Sequence, residues 1–149
     1  MHKTNDTLWH RYWIVGEPAS KSNSRRLVTQ GGKPRFIKSK KALRYEQLWS
    51  LQARRHDPLL EGDLVLGIRI WYKSKRPDLD TTHIKDCLQG YSFPNDRQVK
   101  VEHGVWDLDR NHPRAYIVVA PVSDALDVIH HIHEDHLSYG QPARFPTIR

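Results

Sequence analysis

The chain has 149 residues, enough for one domain with a buried core, and its 38% hydrophobic content with five Trp excludes wholesale disorder. The formal net charge is +7 with all ten His counted as neutral, which favours an anionic partner, nucleic acid before a membrane surface. A lone cysteine, Cys87, excludes an internal disulfide; residues 1–6 lack a signal peptide's apolar run, and no stretch nears the roughly 20 apolar residues of a membrane span. The expectation is a soluble cytoplasmic protein.

Residues 7–15 are aromatic and β-branched and read as a strand. Residues 16–34 are polar and punctuated by Gly and Pro, so they read as a long exposed loop, a length that marks function or mobility in a compact domain. Ser39 is placed to cap a helix running to about His56, with Ala42, Leu43, Tyr45, Leu48, Trp49 and Ala53 at the helical period and Asp57-Pro58 as its stop. A second strand over 64–72 puts Leu64, Leu66, Ile68 and Ile70 on one face. A short helix over 81–89 precedes Gly90 as its C′ residue. Strands follow over 98–106 and 115–122, and the polar segment 107–113 reads as a hairpin connection between them. Residues 123–138 read as an amphipathic helix capped by Ser123, with Leu126, Ile129, Ile132 and Leu137 inward, and 139–149 as a flexible tail. With no repeat or linker, the whole chain, 1–149, is expected to be one α+β domain with its core over about 7–138 and a small mixed sheet flanked by helices.

Three aspartates stand out in this basic chain: Asp78 and Asp80 in Arg76-Pro77-Asp78-Leu79-Asp80, and Asp96 in Asn95-Asp96-Arg97-Gln98-Val99. In an extended segment, residues two apart point the same way, so Asp78 and Asp80 can converge at a strand end. Asp96 joins them if the next strand returns beside the first. Three carboxylates with open positions for water suit Mg²⁺ or Mn²⁺, which can activate water and stabilise charge on a phosphate. The plainer reading makes Asp78 and Asp96 turn residues and Asp80 a helix cap. An EF-hand loop is excluded, because its Gly and terminal Glu are missing at the required offsets. Asp-x-Asp pairs also bind nucleotide-sugars through a metal, and spacing alone does not choose.

The segments Arg76-Pro77-Asp78-Leu79-Asp80, Lys85-Asp86-Cys87-Leu88-Gln89-Gly90 and Asn95-Asp96-Arg97-Gln98-Val99 together resemble the core of the RusA family of Holliday-junction resolvases. Ser22-Asn23-Ser24-Arg25 resembles the family's Ser-Asn-x-Arg stretch, and the likeness covers about 10–120 in the same order of elements. The resemblance implies a RusA-like fold and a homodimer that cleaves four-way DNA junctions with a divalent metal, Mg²⁺ or Mn²⁺. It places the metal-binding catalytic carboxylates at Asp78, Asp80 and Asp96. Thr81 stands where the family has Asn, and Asn95 where it has Asp; the intervening helix is about two residues shorter. Ungapped, the family's catalytic Lys falls on Ile84; a shifted register gives that role to Lys85.

From Ser20 to Arg44 there are nine Lys or Arg and no Asp or Glu. Asn23, Arg25, Arg26, Lys33, Arg35 and Lys38 are the expected DNA contacts, since such a run tracks phosphates without reading sequence. The His-rich stretch 130–136 misses the established zinc spacings, and reads as a polar helix face at a subunit contact or an adventitious metal site. The resulting expectation is a Mg²⁺-dependent endonuclease on branched DNA. The rival readings are a catalytically impaired structure-selective DNA-binding protein of the same fold and, more distantly, a metal-dependent transferase.

Overall fold

Strand β4, Leu64–Tyr72, has all nine residues buried, and the rest of the domain is arranged around it. A computed structural model of the chain describes residues 8–139; the expected tail lies almost wholly outside them. The other elements are β1 (His10–Val15), β2 (Arg25–Gln30), β3 (Lys33–Lys38), α1 (Lys40–Gln52), α2 (Thr82–Leu88), β5 (Val99–Leu108), β6 (Arg114–Pro121) and α3 (Ala125–Ile132). Four strands form a mixed sheet in the order β1-β6-β4-β5, and β2 with β3 forms a separate two-stranded ribbon. The α+β expectation holds.

The period of two along β4 explains its double burial. Leu64, Leu66, Ile68, Ile70 and Tyr72 face α1 and α2, where Tyr45, Trp49, Ile84, Leu88 and Phe93 complete one core. Val65 and Trp71 join Trp9, Tyr116, Val118, Val128 and Ile132 in a second core on the α3 side. Gly67 is required there: a Cβ on it would lie 2.7 Å from Ile132 Cγ1 and 2.8 Å from Val128 Cγ1. Buried Arg69 donates to Asp107 and to the carbonyls of Ile132 and Glu134, satisfying the end of α3 with a cation, as the helix dipole favours.

Several expectations need correction. The 16–34 segment is not wholly loop. Ser20 caps a 3₁₀ turn at Lys21–Asn23, and Gly31 and Gly32, with φ of 57° and 77°, make the two-residue turn that pairs β2 with β3. Ser39 does cap α1, accepting from the Ala42 N–H at 3.1 Å, but the helix ends at Gln52 rather than His56. There the Gln52 side chain accepts from Val15 N–H and donates to Val15 C=O, tying the helix end to β1. Residues 107–113 do not close a hairpin, because β4 lies between β5 and β6: it pairs parallel with β5 and antiparallel with β6. The last helix is only Ala125–Ile132, without a side-chain cap from Ser123, and Leu126 is 74% exposed while Val128 and Ile132 point inward. Leu137 is buried as expected, but from a following 3₁₀ turn.

Candidate active site

Beyond Tyr72 the chain turns back along β5, and packing sets its path. Trp106 Nε1 donates to the Pro77 carbonyl at 2.9 Å. Gly104 leaves room for Leu79 and Thr81, whose carbons would lie 3.1 and 3.3 Å from a Cβ there. This holds Asp78 and Asp80 at the rim of a 390 Å³ cleft, lined also by Tyr72, Arg76, Lys41 and Asn23. The expected juxtaposition of Asp78 with Asp80 is present.

Asp80 joins three segments. Its N–H donates to the Tyr72 hydroxyl at 3.2 Å. Its Oδ1 accepts from the Thr82 N–H at 3.0 Å and so caps α2, and its Oδ2 accepts from the Lys21 N–H at 2.7 Å. Partial burial works against the charged form of Asp80, but the N–H groups of Lys21 and Thr82 outweigh it and hold the carboxyl below the usual range. The carboxylate of Asp78 accepts no hydrogen bond among the described residues, leaving its lone pairs open to the cleft.

Asp96 is held elsewhere. It starts a 3₁₀ turn just before β5, in which Asn95 and Gln98 form a capping box. Gln98 also donates to the carbonyls of Leu60 and Gly62, which gives the Gln-Val pair a structural role. Because β4 and β5 are parallel, Val99 pairs beside Leu64 while Leu108 pairs beside Tyr72. Asp96 therefore precedes one end of the strand pair, whereas Asp78 and Asp80 follow the other. The returning segment reaches Glu102 at Thr81 and Lys85, and a further three residues of strand, about 10 Å, separate that point from Val99. Among the described residues no group of three or more His, Cys, Asp or Glu side chains could hold a metal within one chain. The expected convergence of all three aspartates is not found in the chain.

Lys85 is drawn toward β5. Its Nζ lies 3.2 Å from Glu102 Oε2, while Thr81 Oγ1 donates to Glu102 Oε1 at 2.5 Å. Ile84, the ungapped alternative, is fully buried and carries no charge to the cleft. Lys41 and Arg76 are the cations that line it instead. The remaining expected DNA contacts lie on the 3₁₀ turn (Asn23) and the β2–β3 ribbon (Arg25, Arg26, Lys33, Arg35, Lys38), all exposed. Of the stretch 130–136, His133 is paired with His103 through their Nε2 atoms at 2.7 Å, and His131 with Tyr116.

Glu17 was not among the expected site residues. Its side chain is 7% exposed, its Oε1 lies 4.0 Å from Lys41 Nζ, and its buried Oε2 accepts no hydrogen bond among the described residues. Burial first, and then the carboxylates of Asp80, Glu17 and Asp78, push the Tyr72 hydroxyl above its ordinary pKa. Three acids therefore act on one hydroxyl at the cleft, and the only sequence signal for Glu17 was an acid directly before the acid-free basic run.

The family model for endodeoxyribonuclease RusA matches residues 16–120, well over half of the chain. The chain belongs to the RusA family. The match spans the Asp78–Asp80 loop, α2 and the Asp96 turn, and it makes the protein an endodeoxyribonuclease of the Holliday-junction-resolving kind. A comparison with curated proteins finds no match. Among the described residues no helix is long and apolar enough to cross a membrane. The donor set of this RusA chain fits a hard divalent cation: Mg²⁺ is commonly held by one or two carboxylates, waters and substrate phosphate, and the cleft offers Asp78 and Asp80.

Proposed function

We propose that this RusA-family chain, as one domain in the cytoplasm, resolves four-way DNA junctions as a homodimer with Mg²⁺, for which Mn²⁺ substitutes. The observation that carries the reading is the cleft where Asp78 and Asp80 meet Lys41 and Arg76, directly beside the acid-free basic ribbon. Asp78 and Asp80 would hold the metal, which when bound supplies a water of lowered pKa and charge stabilisation for a phosphodiester under attack. Lys41 and Arg76 balance the charge of the phosphate entering the cleft. Asn23, Arg25, Arg26, Lys33, Arg35 and Lys38 grip the backbone on either side. Lys85 acts from outside the cleft, neutralising Glu102 and fixing α2 on β5, and joins the phosphate only if that ion pair opens.

Asp96 enters this scheme from a second copy. Parallel pairing keeps it away from the cleft of its own chain. A two-fold dimer, which symmetric cutting of a junction requires, lets each protomer present Asp96 to the other's cleft.

A synthetic four-way junction with Mg²⁺, compared with linear duplex and with EDTA, tests the activity. Asp80→Asn should lower cleavage about a thousandfold or more while leaving junction binding intact; undiminished cutting would sink the site. Mixing Asp80→Asn with Asp96→Asn protomers should restore about a quarter of the wild-type nicking, because half of a random mixture is heterodimer with one complete site. No recovery places Asp96 outside a shared site. The separation of Asp96 and the Lys85–Glu102 pair also favour a second reading, a structure-selective binder with impaired cutting. A junction held tightly but never nicked, across metals and pH, selects that reading.

A further inference from the structure

The β2–β3 ribbon carries an apolar pair that the fold leaves uncovered. Leu27 and Phe36 are direct partners across the antiparallel ladder, and they are 61% and 71% exposed. Positions two apart on a strand share a face. The Arg25–Lys38 pair therefore stands on that same face one step toward the base, and Thr29–Pro34 one step toward the Gly31–Gly32 tip. Scattered surface leucines are ordinary in soluble proteins. This pair differs in being held in register on a projecting ribbon, in a segment with nine cations and no acid between residues 20 and 44.

Two properties of the face identify its occupant. The positive charge around it complements a polyanion. The flat ring of Phe36 beside Leu27 offers nothing to a phosphate and suits the face of a nucleobase. The base of the same face lies against α2, where Arg25 and Lys38 border a groove with His83 and Asp86, and the turn before the ribbon gives its Lys21 N–H to Asp80.

We propose that Leu27 and Phe36 form a wedge that stacks on exposed bases at the branch point of a DNA junction, while the surrounding cations hold the backbones. The proposal rests on the resolvase reading and gives it a physical basis for structure selectivity. Within a duplex each base face is covered by its neighbours, and inserting a wedge costs unstacking. At a branch point the arms stack on one another only across interrupted strands, so opening that step costs less than opening one inside a duplex. The wedge then prefers a branched substrate to a linear one with no base-edge contact. Phe36 supplies the stacking plane, and Leu27 supports it from across the ladder.

The test uses a four-way junction carrying 2-aminopurine at the branch point, with Ca²⁺ in place of Mg²⁺ so that the strands stay intact. Each protein is added to saturation, so that affinity does not limit the signal. Wild-type protein should raise the emission, because insertion at the branch point pulls the probe's neighbouring base away from it. The double variant Leu27→Ala/Phe36→Ala should raise it by less than half as much, Phe36→Trp should retain it, and a probe in the middle of one arm should stay dark. An equal rise with the double variant overturns the wedge, as does a junction bound tightly with no change at the branch point; in both cases the resolvase reading stands. Conversion of the double variant from dimer to monomer in sedimentation makes the pair an interface between copies and also overturns the wedge. A wild-type protein that binds linear duplex as tightly as a junction removes the resolvase reading first, and the wedge with it.

Discussion

Strand β4 and the β2–β3 ribbon are both regular β-structure, and they share almost nothing else. β4 is hydrogen-bonded on both edges and buried on both faces. The ribbon has one partner per strand and no buried residue. Both were built with alternating side chains; the difference lies in what each face meets. β4 alternates between two apolar cores, whereas each face of the ribbon mixes cations with apolar side chains and neither has a buried residue. A junction resolvase has use for both, because carboxylates must be held by a rigid frame while branched DNA must be engaged by something that projects. The Lys21 N–H bond to Asp80 joins the turn before the ribbon to the loop after β4.

The largest expected effect separates them by stability. Ile68→Ala in β4 should cost about 3 kcal/mol, from lost burial plus a cavity, whereas Phe36→Ala on the ribbon should stay within about 0.5 kcal/mol. Urea unfolding measures both, and a comparable loss from Phe36→Ala would show that the ribbon is packed after all. Charge gives the next contrast. Replacing Lys33 and Arg35 by Gln should weaken junction binding about tenfold and reduce the slope of log affinity against log salt by about 2. A slope that does not change would mean that neither side chain meets a phosphate.

The last contrast comes from pH. Burial, followed by the charge of His56, pushes His10 down to about 4, and burial is also the first cause that lowers His56, His83 and His103. Between those values and 6.5 the unfolded chain binds more protons than the folded one, so their stabilisation is complete above pH 6.5 and is lost as pH falls toward 4. The thermal midpoint should drop by roughly 5 °C or more from pH 7 to pH 5, and His10→Gln should flatten that dependence. The ribbon carries no histidine, so its charge should not respond over the same range.

The parts of the molecule legible in the sequence are those written in local chemistry. Ser39 bonds the backbone three residues on, and the alternating Leu64, Leu66, Ile68 and Ile70 must share a face whatever surrounds them. The Gly31-Gly32 turn was equally local, since two consecutive residues at positive φ are a hairpin signal, and polarity alone obscured it. The connection over 107–113 was not legible in this way. Polarity marks where a strand ends, but nothing local says that β4 will occupy the place beside β5 that β6 was expected to take.

The same division runs through the site. Residue type and spacing determined that Asp78 and Asp80 share a cleft, because two side chains two residues apart in an extended segment cannot easily avoid it; composition determined that the chain carries a polycationic segment, and the fold brought its Asn23 and Lys41 to that cleft. The position of Asp96 was decided by the direction of β5, a choice made by packing between segments far apart in sequence. Lys41 likewise reaches the cleft, and meets Glu17 at 4.0 Å, only because α1 packs on the sheet to which β1 belongs. Hydrogen bonds and periodicity act over a few residues and can be read along the chain; strand order and the meeting of distant carboxylates minimise the energy of the whole core, and only the folded structure reports them.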